Sequence, residues 1–323
     1  MTPNTLSPGD CDASASRESA ARQPCGSIRA MLDAAHRARY DADGFLAPLQ
    51  ALTADEAAAC RARLAPYLDA HGFAARRVRN SPHLLFTWAA DLIRHPRIVD
   101  AVASLIGPDV LVRQSVLFIK PAGDPDHNAF HQDGAPWQLA GDRVVTAWIA
   151  LTDSTVANGA VRMIPGSHRG RRLRHELRID RHGRLLRGQC VEPVSEASAL
   201  PIALRAGEFS LHHVWTVHGS PPNPSDAPRI GLAVRYMAPE VASGGPRESV
   251  TLVRGDDRLR RHRIEPRPER DLDPAALRWH RRRLRQFALH IGWQIVREPS
   301  AAHLRLVGRL LRGAVGRASN GAP

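Results

Sequence analysis

The stretch "VLVRQSVLFIK", residues 110–120, sets the fold class. It is an apolar, β-branched run bounded by Gly107-Pro108-Asp109 on one side and Pro121 on the other, which is the pattern of a strand. The same texture continues downstream in "RVVTAWIALT" (143–152), "AVRMIP" (160–165), "ALPIALRAGEFSLHH" (199–213) and "RIGLAVRYMA" (229–238). Gly, Pro, Asn and Asp separate these runs, as turns between strands require. Upstream the pattern is helical. "LTADEAAACRARLAPYLDA" places Glu56 three residues after Thr53, a capping box, and predicts a helix over 54–69. "WAADLIRHPRIVDAVASLIG" predicts further helix, interrupted near Pro96 and closed by Gly107. From about 274 the helical period returns, with Leu284, Phe287, Ala288, Ile291 and Ile295 on one stripe and Leu304, Val307, Leu310 and Leu311 on a second. Helices followed by many strands argue for an α+β chain with a mainly β core, an antiparallel sandwich or barrel with helices packed outside. No internal repeat interrupts this order.

Composition narrows the classes. The 323 residues are enough to bury a substantial core, and no run of 18 apolar residues exists to span a membrane. Residues 1–28 are rich in Ser, Pro, Ala and Gly and lack the basic start and apolar run of a secretory signal, so they read as a disordered leader. Cys11, Cys25, Cys60 and Cys190 are widely spaced and form no CxxC pair, which fits a reducing cytoplasm and neither a disulfide scaffold nor a zinc ribbon. The formal charge of +13 is concentrated at one end: residues 251–323 hold 17 arginines against 7 acids. The expected organisation is therefore a leader (1–28), a single domain (29–298) and a basic tail (299–323). The tail's arginines alternate with apolar residues, as on a solvated or partner-contacting helix, so nucleic acid is not the expected partner. A homodimer through the C-terminal helices fits the same pattern.

The chemistry is carried by "NAFHQDGAPWQL" (128–139). An isolated H-x-D arises by chance about once in a chain with sixteen histidines. On an extended strand, however, His131 and Asp133 point to one side while Phe130 and Gln132 face the other. A third ligand is needed, and His218 in "LHHVWTVHGSPPNPSDAPRIGLAVRY" is the candidate, with His212 and His213 as rivals. Two imidazoles and a carboxylate on one face of an octahedral iron leave three positions open for a chelating co-substrate and O2. The chelator's far carboxylate needs a fixed cation, and Arg229 lies eleven residues after His218.

These pieces, with "TAWIALTDSTVANGAVRMIPGSHRG", "GEFSLHHVWTVHGSPPNPSDAPR" and the lead-in "YDADGFLAPLQALTADEA", resemble the phytanoyl-CoA dioxygenase-like family of Fe(II)/2-oxoglutarate oxygenases over roughly residues 40 to 280. The resemblance implies a jelly-roll double-stranded β-helix with packed N- and C-terminal helices. It implies His131, Asp133 and His218 as ligands of Fe(II), with 2-oxoglutarate and O2 as co-substrates. Arg229, assisted by Ser220, would hold the far carboxylate of 2-oxoglutarate, and Trp137, Thr146 and Trp148 would line its pocket. Related halogenases replace the carboxylate ligand by Ala or Gly; this chain keeps Asp133, so the expected reaction is hydroxylation of a small molecule, with desaturation, epoxidation or cyclisation as alternatives. Gln114, His168 and His175 are candidates for the substrate pocket.

Lys120 is the only lysine, against 44 arginines. A lysine kept where arginine is used everywhere else points to a place that takes a compact ammonium and not a guanidinium, and a carboxylate of co-substrate or substrate is the expected partner. The segments expected to select substrate, about 73–88, 166–198 and 238–250, are rich in cations (Arg76, Arg77, Arg79, Arg169, Arg171, Arg172, Arg174), which points to an acidic substrate such as an amino acid, a phosphonate or a carrier-bound acid.

Overall fold

A computed structural model describes residues 32–71, 79–137, 139–177, 189–191, 195–243 and 248–297. The leader, the basic tail with its apolar stripe, and Arg76 and Arg77 lie outside the described residues.

The expected helices form where their punctuation placed them, and a further one precedes them. Helix α1 (Ala34–Asp43) starts on Asp33, whose carboxylate accepts the His36 amide at 2.8 Å. Helix α2 (Ala54–His71) opens on the capping box: Thr53 N donates to Glu56 Oε2 at 2.7 Å and Glu56 N donates to Thr53 Oγ1 at 3.2 Å. Pro96 separates α3 (Thr87–Leu92) from α4 (Pro96–Ile106), and Gly107 ends α4 with φ +95°, a region few other residues enter. Helix α5 spans Pro274–Arg297.

Seven strands form the larger sheet, in the spatial order β1 (Phe45–Gln50), β10 (Glu208–His213), β5 (Val144–Ala150), β12 (Arg229–Met237), β2 (Val110–Lys120), β14 (Ser249–Arg254) and β15 (Arg263–Ile264). All neighbours are antiparallel except β14 and β15. A four-stranded sheet has the order β3 (Asn128–His131), β11 (His218–Ser220), β6 (Val161–Met163) and β9 (Leu200–Ile202). Two small pairs complete the described strands, β4 (Leu139–Ala140) with β13 (Ala242–Ser243) and β7 (His175–Leu177) with β8 (Gln189–Val191). The fold is mixed α+β with mostly β structure.

One expected run is divided. Residues 199–213 supply β9 to the small sheet and β10 to the large one, with the break at Gly207. Its φ of +92° and the approach of the Leu52 carbonyl leave no room for a side chain there.

The central strand β12 explains how a core and a site share one sheet. All nine of its residues are buried. Ile230, Leu232, Val234 and Tyr236 face the helices and join the main apolar core with Ile98, Val102, Leu117 and Ile149. Each such side chain contributes on the order of 1.5–3 kcal/mol by leaving water. The alternate residues, Arg229, Gly231, Ala233 and Arg235, occupy the opposite face. Their cross-strand partners are Lys120, Phe118, Val116 and Gln114 on β2, and Ala150, Trp148 and Thr146 on β5. A buried face carrying two arginines is not a stability device. It is the wall of a site.

Candidate metal centre

The small sheet supplies both imidazoles. His131 ends β3 and His218 begins β11, and the two are direct cross-strand partners with ring centroids 4.2 Å apart. Asp133 lies in the turn that follows β3. One ligand atom from each of His131, Asp133 and His218 falls within 4.8 Å of the others, so the three can share an ion. Two nitrogens and one carboxylate oxygen, with no thiolate, form the donor set suited to non-haem iron.

Both histidines are oriented by their own backbone. His131 Nδ1 donates to the Ala129 carbonyl at 2.9 Å and His218 Nδ1 to the Thr216 carbonyl at 3.0 Å. These bonds fix the tautomer that turns Nε2 towards the ion site. Burial pushes the His131 pKa down to about 3 and that of His218 to about 4, each reinforced by a neighbouring imidazole. Both are therefore neutral and ready to ligate at physiological pH.

Asp133 is held from the large sheet. Arg235 donates through Nη2 to Oδ1 at 2.8 Å and through Nε to Oδ2 at 3.2 Å, and Thr146 Oγ1 donates to Oδ2 at 2.7 Å. His212 Nε2 stands 3.5 Å from Oδ2. Burial acts to raise the Asp133 pKa, but the Arg235 charge and hydrogen bond, with His212 and His218, together outweigh it and keep the carboxyl well below its ordinary range. The carboxylate is ionised and its orientation set before any ion arrives.

A cavity opens beside the three groups, lined among others by Phe118, Asn128, Trp148, Ser220, Arg229 and Arg235. Arg229 is 1% exposed, donates to the Gly159 carbonyl and has its guanidinium carbon 5.4 Å from the centre of the Trp148 ring. Ser220 Oγ is buried and has no hydrogen-bond partner among the described residues. An unpaired buried hydroxyl beside a buried arginine is costly unless a ligand completes it, and a carboxylate would satisfy both. The residues present thus fit an Fe(II) ion and an anionic chelator.

Several expected site residues stand elsewhere. Lys120 is 1% exposed, but its ammonium donates to the main-chain carbonyls of Asp126 (3.0 Å), Ser220 (3.5 Å) and Pro221, and the residue is absent from the cavity lining. The ammonium faces main-chain carbonyls and holds a loop. Trp137 packs with Val214, Trp215 and Met237 beneath the Arg113 guanidinium, 4.1 Å from its ring centre. His168 lies 5.4 Å from the His213 ring, against Gly44 and away from the cavity lining. His175 bonds to Leu173 O (2.9 Å) and Gln132 N (3.2 Å), so both its nitrogens are engaged. Gln114 is half-buried opposite Arg235 and does not reach the cavity lining. Thr146 and Trp148 line the cavity as expected, Thr146 through Asp133. Arg235, Phe118 and Asn128 are singled out by no motif in the sequence, and His212, a rival for the third ligand, stands against Asp133 in the cavity lining. The alternation of "RIGLAVRY" carries the signal for Arg235, which shares the face of Arg229.

Comparison with known proteins agrees with the geometry. Residues 40–231 match the family described as phytanoyl-CoA dioxygenase, and the chain belongs to that family. A probable alpha-ketoglutarate-dependent hypophosphite dioxygenase of Stutzerimonas stutzeri is 34% identical over 167 residues, 50% of this chain and 57% of the relative. An ectoine dioxygenase of Streptomyces anulatus is 30% identical over 146 residues, 40% of this chain and 49% of the relative. The chain thus spans about half the length of the curated relatives it matches. Among solved structures, the apo form of the non-heme monooxygenase ThoJ is similar, with a TM-score of 0.71 and 36% identity over 81% of this chain and 99% of that one. CytC3 with Fe(II) and alpha-ketoglutarate shares the fold, with a TM-score of 0.56 at 23% identity over 75% of this chain and 96% of that one. No helix among the described residues is long and apolar enough to cross a membrane.

Proposed function

We propose that the protein is an Fe(II)/2-oxoglutarate-dependent dioxygenase that hydroxylates a small molecule, and that its two facing sheets are a double-stranded β-helix. The observation that carries this reading is the joint placement of two neutral imidazoles, one ionised carboxylate and, across the same cavity, the buried Arg229 and Ser220. His131, Asp133 and His218 would hold iron, and Arg229 with Ser220 would receive the far carboxylate of 2-oxoglutarate. Iron with 2-oxoglutarate would supply oxygen activation coupled to decarboxylation to succinate and CO2. The chain's own part is to orient and to exclude water: Trp148 covers the Arg229 side, and Thr146 with Arg235 holds Asp133. Retention of Asp133 favours hydroxylation over halogenation.

The arginines at 169–174 beside the metal strand support an acidic substrate, and a relative named for hypophosphite is consistent with one. Anaerobic addition of Fe(II) and then 2-oxoglutarate should give a weak visible charge-transfer band in the wild type and none in His218→Ala. Aerobically, succinate release should rise above the uncoupled rate with the right acid. A wild-type protein that binds neither ligand would overturn the reading and favour a binding role without turnover.

A further inference from the structure

Gln132 lies between two of the metal ligands and points away from them, yet it is 1% exposed and fully engaged. Its Nε2 donates to the carbonyls of Arg171 at 2.6 Å and Trp215 at 2.7 Å. Its Oε1 accepts the Leu173 amide at 2.9 Å. Its own amide donates to His175 Nε2 at 3.2 Å, and His175 is set to accept because its Nδ1 donates to Leu173 O at 2.9 Å. Both amide hydrogens and the amide oxygen are satisfied by main chain from two separate segments, a set of roles that only a side-chain amide can fill. Glutamate would turn an acceptor towards two carbonyls, and methionine would leave all three groups unmet.

We propose that Gln132 is a positioning residue that latches the arginine-bearing segment 171–175 to the metal-ligand strand, so that substrate recognition is set from within the H-x-D motif itself. The segment carries Arg171, Arg172 and Arg174, all exposed, with the Arg171 guanidinium 3.8 Å from the Asp142 carboxylate, and through His175 it is anchored to the residue adjoining His131. The hairpin that continues it, β7 with β8, packs its second strand against β3. Iron binding should not need the latch, since His131, Asp133 and His218 are each oriented by other partners. The inference rests on the oxygenase reading only for what the segment selects, not for the latch.

The proteolysis uses the full chain without metal. Trypsin should cleave the wild type slowly at Arg171, Arg172 and Arg174, and Gln132→Met should raise cleavage there by about tenfold or more, equivalent to about 1.4 kcal/mol of lost local stability. Gln132→Met should keep the anaerobic Fe(II)/2-oxoglutarate band. Wild-type cleavage rates in the variant, or loss of the band together with the latch, would overturn the proposal. Should the variant fail to fold, hydrogen exchange on the wild type decides it: the Leu173 amide should exchange about tenfold or more slowly than those of Arg172 and Arg174, and equal rates would refute the latch. Failure of the wild type to bind iron would instead count against the oxygenase reading.

Discussion

Replacing Lys120 separates the two roles that its isolation in the sequence allowed. Its ammonium reaches the carbonyls of Asp126, Ser220 and Pro221, joining the loop after β2 to the end of β11. Lys120→Met removes a buried charged donor and leaves these acceptors to find other partners, which costs about 2–3 kcal/mol after allowing for the ammonium's own desolvation. At about 2–4 °C per kcal/mol for domains approaching this size, the melting temperature should fall by roughly 5–10 °C. Lys120→Arg should also destabilise, by about 1–3 kcal/mol, because a broad guanidinium must enter a space built for a point charge. The loss should appear in thermal unfolding followed by circular dichroism. A weaker effect on 2-oxoglutarate affinity should follow, because the clamp includes Ser220. If Lys120→Met melted like the wild type while 2-oxoglutarate binding collapsed, the loop-clamp assignment would be refuted and the ammonium would belong to the ligand.

Three further outcomes test other parts of the structure. Gly231→Ala would drive a methyl into the Trp148 ring, so it should destabilise by about 1–3 kcal/mol and weaken 2-oxoglutarate binding; unchanged affinity by calorimetry would mean that Trp148 does not shape the cavity. Because burial lowers the His131 pKa to about 3 and the His218 pKa to about 4, both ligands stay neutral as pH falls from 7 to 5, and anaerobic iron affinity should not drop through histidine protonation in that range; a midpoint near pH 6.5 would contradict the burial argument. Burial acts to raise the Glu265 pKa, but Arg283, His83 and Ser249 together lower it to about 2 from its ordinary 4.5, so its contribution to stability is complete above pH 4.5 and is lost as pH falls towards 2. Glu265→Gln should flatten the stability profile across that window, and an unaltered slope in chemical denaturation would show that other acids set it.

The sequence was most legible where one local rule governed. The Thr53–Glu56 box, Pro96 and Gly107 marked helix ends, and β2 begins and ends at the residues its apolar run predicts. The candidate triad was legible from the H-x-D spacing and from the Arg eleven residues after His218, although Asp133 reaches its place from the turn after β3 and not from an extended strand. What escaped depended on contacts between distant segments. Nothing near Lys120 in sequence announces the carbonyl of Pro221, about a hundred residues on, and the partner of Arg235 on Asp133 is equally remote. Burial on both faces of β12 also hides which alternate residues are core and which are site, until the facing strands are in place.

The division of the centre between two sheets ties its assembly to the closure of the sandwich. His131 and His218 travel with the small sheet, whereas Thr146, Arg229 and Arg235 travel with the large one. Parting the two sheets by even a few ångströms would therefore separate the two histidines from Thr146, Arg229 and Arg235. On the proposed reading, an ion held by His131 and His218 and an acid anchored by Arg229 would together act as a rivet across the gap. Loading at a hundred times the dissociation constant adds about 2.7 kcal/mol to the closed form, so the protein should be hardest to unfold when it is ready to react.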